Sequence, residues 1–271
     1  MRQAEVERLR SVRARVAGWK DLSLVDVLGE PSFTIWFNYC NFRCPWCQNG
    51  HVVSGEVSRE VEVGELADLA AASYPLVKFV HVTGGEPTLQ DEALEALFKL
   101  CKLSEMKTSL STNGSRPGVV RRLTDEGLLD HMALDVKGPL NDPERYGRIA
   151  GLSIALAREI VPRIRETLRL ALGNLSFVEI RTTLVPGLVE EREVMEVVGE
   201  LREEVSQAGG SRVAYVLQQF SPSETAIDPR FRRGKRSEVD RLLELGRLVK
   251  SKLSFEEVYI RCVELGTVRV N

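Results

Sequence analysis

Short apolar runs alternate with longer amphipathic stretches along most of the chain, and this rhythm limits the possible folds more than any other feature. Residues 33–38, 77–82, 107–111, 131–136, 177–185 and 213–219 read as strands. Residues 63–72, 91–102, 117–127, 154–172, 190–207 and 237–252 read as helices, and in 91–102 the apolar Ala93, Leu94, Leu97 and Leu100 fall on one face. Pro117 suits a first helical turn, and Pro162 marks a kink in the helix around it. A closing hairpin spans 257–263 and 267–270 around Gly266, and Met1 to Lys20 carries a charged, helical pattern.

Strands that alternate with helices of this length imply βαβ units and a parallel sheet. Six such units are two short of a closed eight-fold barrel. The expected fold is α/β, a partial (β/α)6 TIM-like barrel with a short N-terminal helix and a C-terminal strand hairpin. An open doubly wound sheet is the alternative. One domain is expected over residues 1–271, with a helical extension at 1–20, a core over about 30–252 and terminal strands at 256–271. In both architectures the chemistry belongs at the C-terminal ends of strands, and the unusual residues of this sequence all follow a strand.

The 37 Lys and Arg residues nearly balance the 39 Asp and Glu, for a formal net charge of -2. That balance argues against nucleic-acid binding by bulk charge. No apolar run approaches the roughly 20 residues of a membrane helix, and the N-terminal stretch lacks the apolar core of a signal peptide. A cytoplasmic location is therefore expected, where thiols stay reduced and clustered cysteines are ligands or catalysts rather than disulfides.

The sharpest local signal is Cys40-Asn41-Phe42-Arg43-Cys44-Pro45-Trp46-Cys47, directly after the first strand. Three thiolates on one tight loop can face a single centre, and thiolates suit zinc or an iron–sulfur cluster. A structural zinc requires four ligands, and His51 is the nearest candidate for a fourth. A cluster held by only three cysteines leaves one iron open to another ligand. Cys101 and Cys262 are distant in sequence and read as buried apolar side chains. His81, inside a strand, reads as a hydrogen-bonded core residue, and His131 begins another strand.

Further motifs follow at the ends of later strands. Thr83-Gly84-Gly85-Glu86-Pro87-Thr88 pairs two glycines, which permit close backbone approach, with a carboxylate acceptor suited to an ammonium group. The same segment also reads as an ordinary strand-to-helix turn, with Pro87 opening the next helix and Glu86 favouring its dipole. Ser111-Thr112-Asn113-Gly114 is a turn whose hydroxyls and amide can hold a ribose or carboxylate. Asp135 and Lys137, two residues apart, point the same way and read either as ligands or as a surface ion pair. Arg181 can clamp a carboxylate or form a structural salt bridge.

With the cysteine loop and the Gly-Gly-Glu-Pro segment in this order, the chain resembles the radical S-adenosylmethionine superfamily. The resemblance implies a [4Fe–4S] cluster on Cys40, Cys44 and Cys47, with the open iron chelated by the amino and carboxylate groups of S-adenosylmethionine. Trp46 would lie near the adenine. Thr83, Gly84, Gly85 and Glu86 would bind the cofactor's amino group, and Ser111, Thr112, Asn113, Asp135, Lys137 and Arg181 would complete its site. The activity implied is reductive cleavage of S-adenosylmethionine to methionine and a 5′-deoxyadenosyl radical, which takes a hydrogen atom from a substrate. No acid–base catalyst is needed.

Within the superfamily the chain is similar to the single-cluster activating enzymes of glycyl-radical proteins, such as those of anaerobic ribonucleoside-triphosphate reductase and pyruvate formate-lyase. The segments that carry this likeness are residues 22–26, 84–90, 111–115, 133–137, 181–187 and 217–220. It implies two partners, a glycyl-radical protein as substrate and a flavodoxin- or ferredoxin-type reductant. Two departures bear on it. Ser111 stands where those enzymes often carry an Asp that, paired with the equivalent of Asp135, in some members helps hold a monovalent cation near the cofactor, so that ion is not carried over to this chain. Residues 48–78 contain no cysteine, so one cluster is expected. Action on RNA, a nucleoside or a small metabolite is the alternative, prompted by the basic loop Arg230 to Arg236 and by Arg8, Arg10, Arg13 and Arg15. A non-enzymatic iron–sulfur or zinc protein is the remaining reading, and the Gly-Gly-Glu-Pro segment argues against it.

Overall fold

A computed structural model describes residues 2–207, 209–252 and 257–271. Met1 and Glu256, the outer limits expected for the N-terminal extension and the terminal strands, lie outside the described residues. The chain divides into two compact units. The first comprises Met1–Asn41, His51–Thr112 and Gly118–Ala133, and the second Phe42–Gly50, Asn113–Pro117 and Leu134–Asn271.

The first unit begins with α1 (Gln3–Arg10) and continues through β1 (Arg13–Val27) and β2 (Glu30–Phe37), which pair antiparallel. α2 (Gly50–Ser54), β3 (Arg59–Glu62), α3 (Val63–Ala72), β4 (Phe79–Gly84), α4 (Asp91–Leu103), β5 (Lys107–Thr112) and α5 (Pro117–Asp125) follow. β2 pairs parallel with β4, and β4 with β5. The predicted apolar face of α4 is buried, Ala93, Leu94, Leu97 and Leu100 included.

The helical reading of residues 11–20 is corrected here. α1 stops at Arg10, and Arg13–Val27 is a strand. Ala14 and Val16 are buried while Arg13 and Arg15 point outward, which is a period of two rather than 3.6. β1 pairs with β3 so that Arg13 faces Glu62 and Arg15 faces Glu60. The charges that suggested a solvated helix are a cross-strand ionic ladder, with Arg13 3.2 Å from Glu60.

β6 (His131–Asp135) bridges the division in the chain. The second unit then contains α6 (Pro143–Ala150), α7 (Ile154–Asn174), β7 (Phe177–Leu184), α8 (Glu191–Ser206), β8 (Arg212–Gln219), α9 (Val239–Lys252) and the hairpin β9 (Glu257–Cys262) and β10 (Gly266–Arg269). β7–β8 and β8–β9 are parallel, and β9–β10 antiparallel. α7 is capped by Ser153 and runs on past Pro162. α6, which the strand–helix rhythm passed over, carries plain signals: Asp142 accepts from the Arg145 N–H at 2.9 Å, Pro143 follows, and Gly151 closes the helix at φ 67°.

The fold is mixed α/β. Among the described residues neither unit shows the reversal of strand order that a doubly wound sheet requires. In the first unit the parallel strands lie in the order β2-β4-β5, and in the second the order is β6-β7-β8-β9-β10. Among the described residues no helix is long and apolar enough to cross a membrane.

Candidate active site on the cysteine loop and the strand ends

In the first unit β2 leads to Cys40 through Asn38 and Tyr39. Tyr39 takes φ 68°, its N–H donates to Val52 O at 3.0 Å, and its carbonyl accepts from Glu86 N–H at 2.7 Å. Gly85 N–H donates to Phe37 O at 2.8 Å. A Cβ on Gly85 would stand 1.9 Å from Tyr39 O, and one on Gly84, at φ 119°, would stand 2.3 Å from Phe37 O. On that side the glycines accommodate backbone rather than a ligand, and they bring the Gly-Gly-Glu turn against the strand end that carries Cys40.

Glu86 is fully buried. Its Oε1 accepts from Thr88 N–H at 3.1 Å, Thr88 Oγ1 at 2.5 Å and Thr112 Oγ1 at 2.8 Å. It caps the 3-10 turn Pro87–Gln90, so the turn-forming reading of this segment is correct. The capping also fixes the carboxylate in one orientation. Ser111 Oγ bonds to His81 Nε2 at 3.1 Å, His81 Nδ1 to Ser109 Oγ at 2.7 Å, and Ser109 Oγ to His131 Nδ1 at 2.7 Å. His81 is thus the hydrogen-bonded core residue expected. Its link to Ser111 went unseen in the sequence, although the register that places His81 opposite Ser109 follows from strand alternation. Thr83 lies at the end of β4, paired with Trp36.

In the second unit the loop carrying Cys44, Trp46 and Cys47 is held from two directions. Arg43 N–H donates to Ala150 O at 3.0 Å, and Trp46 Nε1 donates to Ile149 O at 3.1 Å. A Cβ on Gly151 would fall 1.9 Å from Arg43 O, so the end of α6 fits the loop only as glycine. Asp228 N–H donates to Pro45 O at 2.9 Å, and Thr225 Oγ1 and Ser223 Oγ donate to Gln48 O at 2.6 and 2.9 Å. None of these holding residues carried a motif.

Lys137 Nζ is 2.9 Å from Asp135 Oδ2 and 5.4 Å from the centre of the Trp46 ring. Burial opposes the Lys137 charge, but Asp135 with Cys44 and Cys47 outweighs it, so the ammonium's pKa lies above its usual value. Burial pushes the Cys47 thiol up, offset in part by the Asn49 N–H and Lys137. Asn113 Oδ1 accepts from Ser115 N–H at 2.9 Å, the local turn that Asn-Gly signalled. Arg181 Nε donates to Glu179 at 2.8 Å, and Arg261 approaches the same carboxylate oxygen at 3.5 Å. Glu179 is fully buried, and it was absent from the sequence reading.

The donor set decides which inorganic group the residues suit. Cys101, on α4, is buried with its thiol pushed up to about 12 by desolvation, and Cys262 is buried in β9. Both behave as the apolar side chains expected. That leaves three thiols on one loop. Among the described residues no three His, Cys, Asp or Glu side chains converge on a single metal ion, which gives the zinc reading with His51 no support. A four-iron cluster binds each thiolate at a different iron and asks for no such convergence. Among the described residues the fully buried Tyr146 hydroxyl finds no acceptor, and burial, then the charge of Cys44, raises its pKa well above normal against the opposing backbone N–H of Lys137. An inorganic sulfide would supply the acceptor that this donor lacks. The residues fit a cluster with three protein ligands.

The Radical SAM superfamily model matches residues 34–201. A protein of Methanocaldococcus jannaschii, provisionally named a glycyl-radical enzyme activating enzyme, is 28% identical over 96% of this chain and all of its own length. The solved structure of TYW1 with a lysine–pyruvate adduct bound has a TM-score of 0.55 at 16% identity, covering 88% of this chain and 80% of that one. The structure of anSMEcpe with bound AdoMet has a TM-score of 0.51 at 16% identity, covering 79% of this chain and 58% of that one. These likenesses show the fold, a partial TIM-like barrel core.

Proposed function

This chain belongs to the radical SAM superfamily, whose members use a [4Fe–4S] cluster and S-adenosylmethionine, and on that premise we propose that it generates a glycyl radical in a partner protein. When bound, the two cofactors supply a carbon-centred radical that abstracts hydrogen. Cys40, Cys44 and Cys47 hold the cluster. Glu86, fixed by Thr88 and Thr112, accepts the cofactor's ammonium, and Thr83, Gly84 and Gly85 shape the turn that presents it. Lys137 and Arg181 would supply positive charge to the carboxylate, and Trp46, anchored on Ile149 O, would offer a flat apolar surface to the adenine. Ser111, Thr112, Asn113 and Asp135 provide hydroxyl, amide and carboxylate partners for the ribose. The residues position the reactants and exclude water and stray hydrogen donors, and none moves a proton. The whole chain acts as one catalytic domain.

The observation that supports the choice of substrate is the likeness to the M. jannaschii protein, which spans 96% of this chain and all of that one. The test is anaerobic. The reconstituted protein, reduced with dithionite, is given S-adenosylmethionine and a glycyl-radical enzyme from the same genome. The expected result is 5′-deoxyadenosine together with a glycyl signal in the partner's electron paramagnetic resonance spectrum, both absent for Cys44→Ala. Production of 5′-deoxyadenosine with no glycyl signal, and deuterium gained instead from a labelled RNA or metabolite, would replace the proposed substrate.

A further inference from the structure

We propose that the Tyr146 hydroxyl donates a hydrogen bond to an inorganic sulfide of the cluster and so raises the potential at which the cluster accepts an electron. The inference rests on the cluster assignment above and adds a residue that no motif marked.

Three observations converge on it, all within the second unit. The first is where the helix places the ring. Arg43 N–H donates to Ala150 O and Trp46 Nε1 to Ile149 O, so α6 grips the loop on both sides of Cys44. Tyr146 precedes Ile149 and Ala150 by three and four residues, which puts it one helical turn back on the same face. Its ring meets Phe42 of that loop edge to face, with centroids 6.4 Å apart.

The second is the state of the hydroxyl. Tyr146 is fully buried. The Lys137 backbone N–H faces the phenolic oxygen, so the group's own proton is directed elsewhere. Among the described residues that proton has no acceptor, the Cys44 sulfur included. Native structures almost always supply an acceptor to a donor buried in this way.

The third is electrostatic. After burial, the charge of Cys44 is the strongest influence that raises the hydroxyl's pKa, with Asp135 behind it. The phenol therefore keeps its proton beside the thiolates and serves as a neutral donor over the whole physiological range.

A four-iron cluster on the three cysteines carries inorganic sulfides next to each ligating thiolate, and these accept hydrogen bonds. Reduction adds one negative charge to the group, and a hydrogen bond strengthens with the charge on its acceptor. The Tyr146 donor thus favours the reduced form, in which one electron has been gained and no bond has been made or broken.

The test compares the reconstituted wild type with Tyr146→Phe and with a protein carrying 3,5-difluorotyrosine in place of Tyr146, a stronger donor of nearly the same shape. The midpoint potential of the cluster is read from a redox titration followed by electron paramagnetic resonance. The expected result for Tyr146→Phe is a shift of about tenfold in the reduction equilibrium toward the oxidised form, about 59 mV for one electron. The fluorinated residue should shift it the other way. Transfer to D2O should move the iron–sulfide stretching bands of the wild type more than those of Tyr146→Phe. Equal potentials in the three proteins overturn the proposal. Shifts of the same sign for both substitutions also overturn it, because they report altered packing rather than donor strength. Should Tyr146→Phe load poorly, the fluorinated protein keeps its hydroxyl and decides by the sign of its shift. Neither S-adenosylmethionine nor a hydrogen donor is present, so a failed glycine assignment leaves the result unmoved. A wild-type protein that takes up no [4Fe–4S] cluster overturns both this inference and the assignment beneath it, whereas a loaded cluster with unmoved potentials overturns this inference alone.

Discussion

The two compact units surround their buried carboxylates with different materials. In the first, Glu86 is set among hydroxyls and backbone N–H groups, and Ser111 ends a chain of alternating serines and histidines. In the second, the corresponding positions are ionic: Asp135 with Lys137, and Glu179 between Arg181 and Arg261. A hydroxyl net around one carboxylate is tolerant, because each bond is worth about 1 kcal/mol and the others remain when one is lost. A buried carboxylate between guanidinium groups is intolerant, because removing it strands like charges in a poorly solvated place.

The most damaging way to break this contrast is Glu179→Ala. It should destabilise the protein by about 3–5 kcal/mol, read from denaturant unfolding, because Arg181 and Arg261 lose their shared counter-charge. A smaller loss of stability follows from pH and belongs to the first unit. The Cys101 thiol has its folded pKa raised from 9.0 to about 12. As pH rises above the unfolded value, only the unfolded chain gives up the proton, so stability falls. By about pH 11 the loss should reach roughly 2–3 kcal/mol relative to neutral pH, and Cys101→Ala should not show it. Thr112→Val removes one of three bonds to Glu86 Oε1 and should cost about 1 kcal/mol, with Thr88 keeping the carboxylate in place. Arg230→Ala breaks an exposed pair with Asp228 and should leave the unfolding midpoint unmoved. A loss of stability as large for Thr112→Val as for Glu179→Ala would erase the distinction between the units.

Features that act through neighbours in sequence were legible. The cysteine spacing, the Gly-Gly-Glu turn, the Asn113 turn and the burial of Cys101 and Cys262 all depend on local geometry or simple polarity. Features that depend on distant strands were not. Arg13 and Arg15 looked like a solvated helix because Glu60 and Glu62, their partners on β3, lie far along the chain. Glu179 was overlooked because an acidic residue in a strand gives no hint of arginines at 181 and 261 converging on it. α6 is the opposite case. Asp142-Pro143 and Gly151 announced its start and stop, and the regular strand–helix rhythm hid them.

The clamps on the cysteine loop also set an order of events during synthesis. Cys40, Cys44 and Cys47 emerge from the ribosome early, but Ile149 and Ala150 come about a hundred residues later, and Ser223, Thr225 and Asp228 later still. Until those segments arrive, the thiols sit on an unshaped stretch of chain. The loop is therefore fully braced only once the chain extends through residue 228, and a chain truncated before residue 223 would carry its cysteines with the loop only half braced.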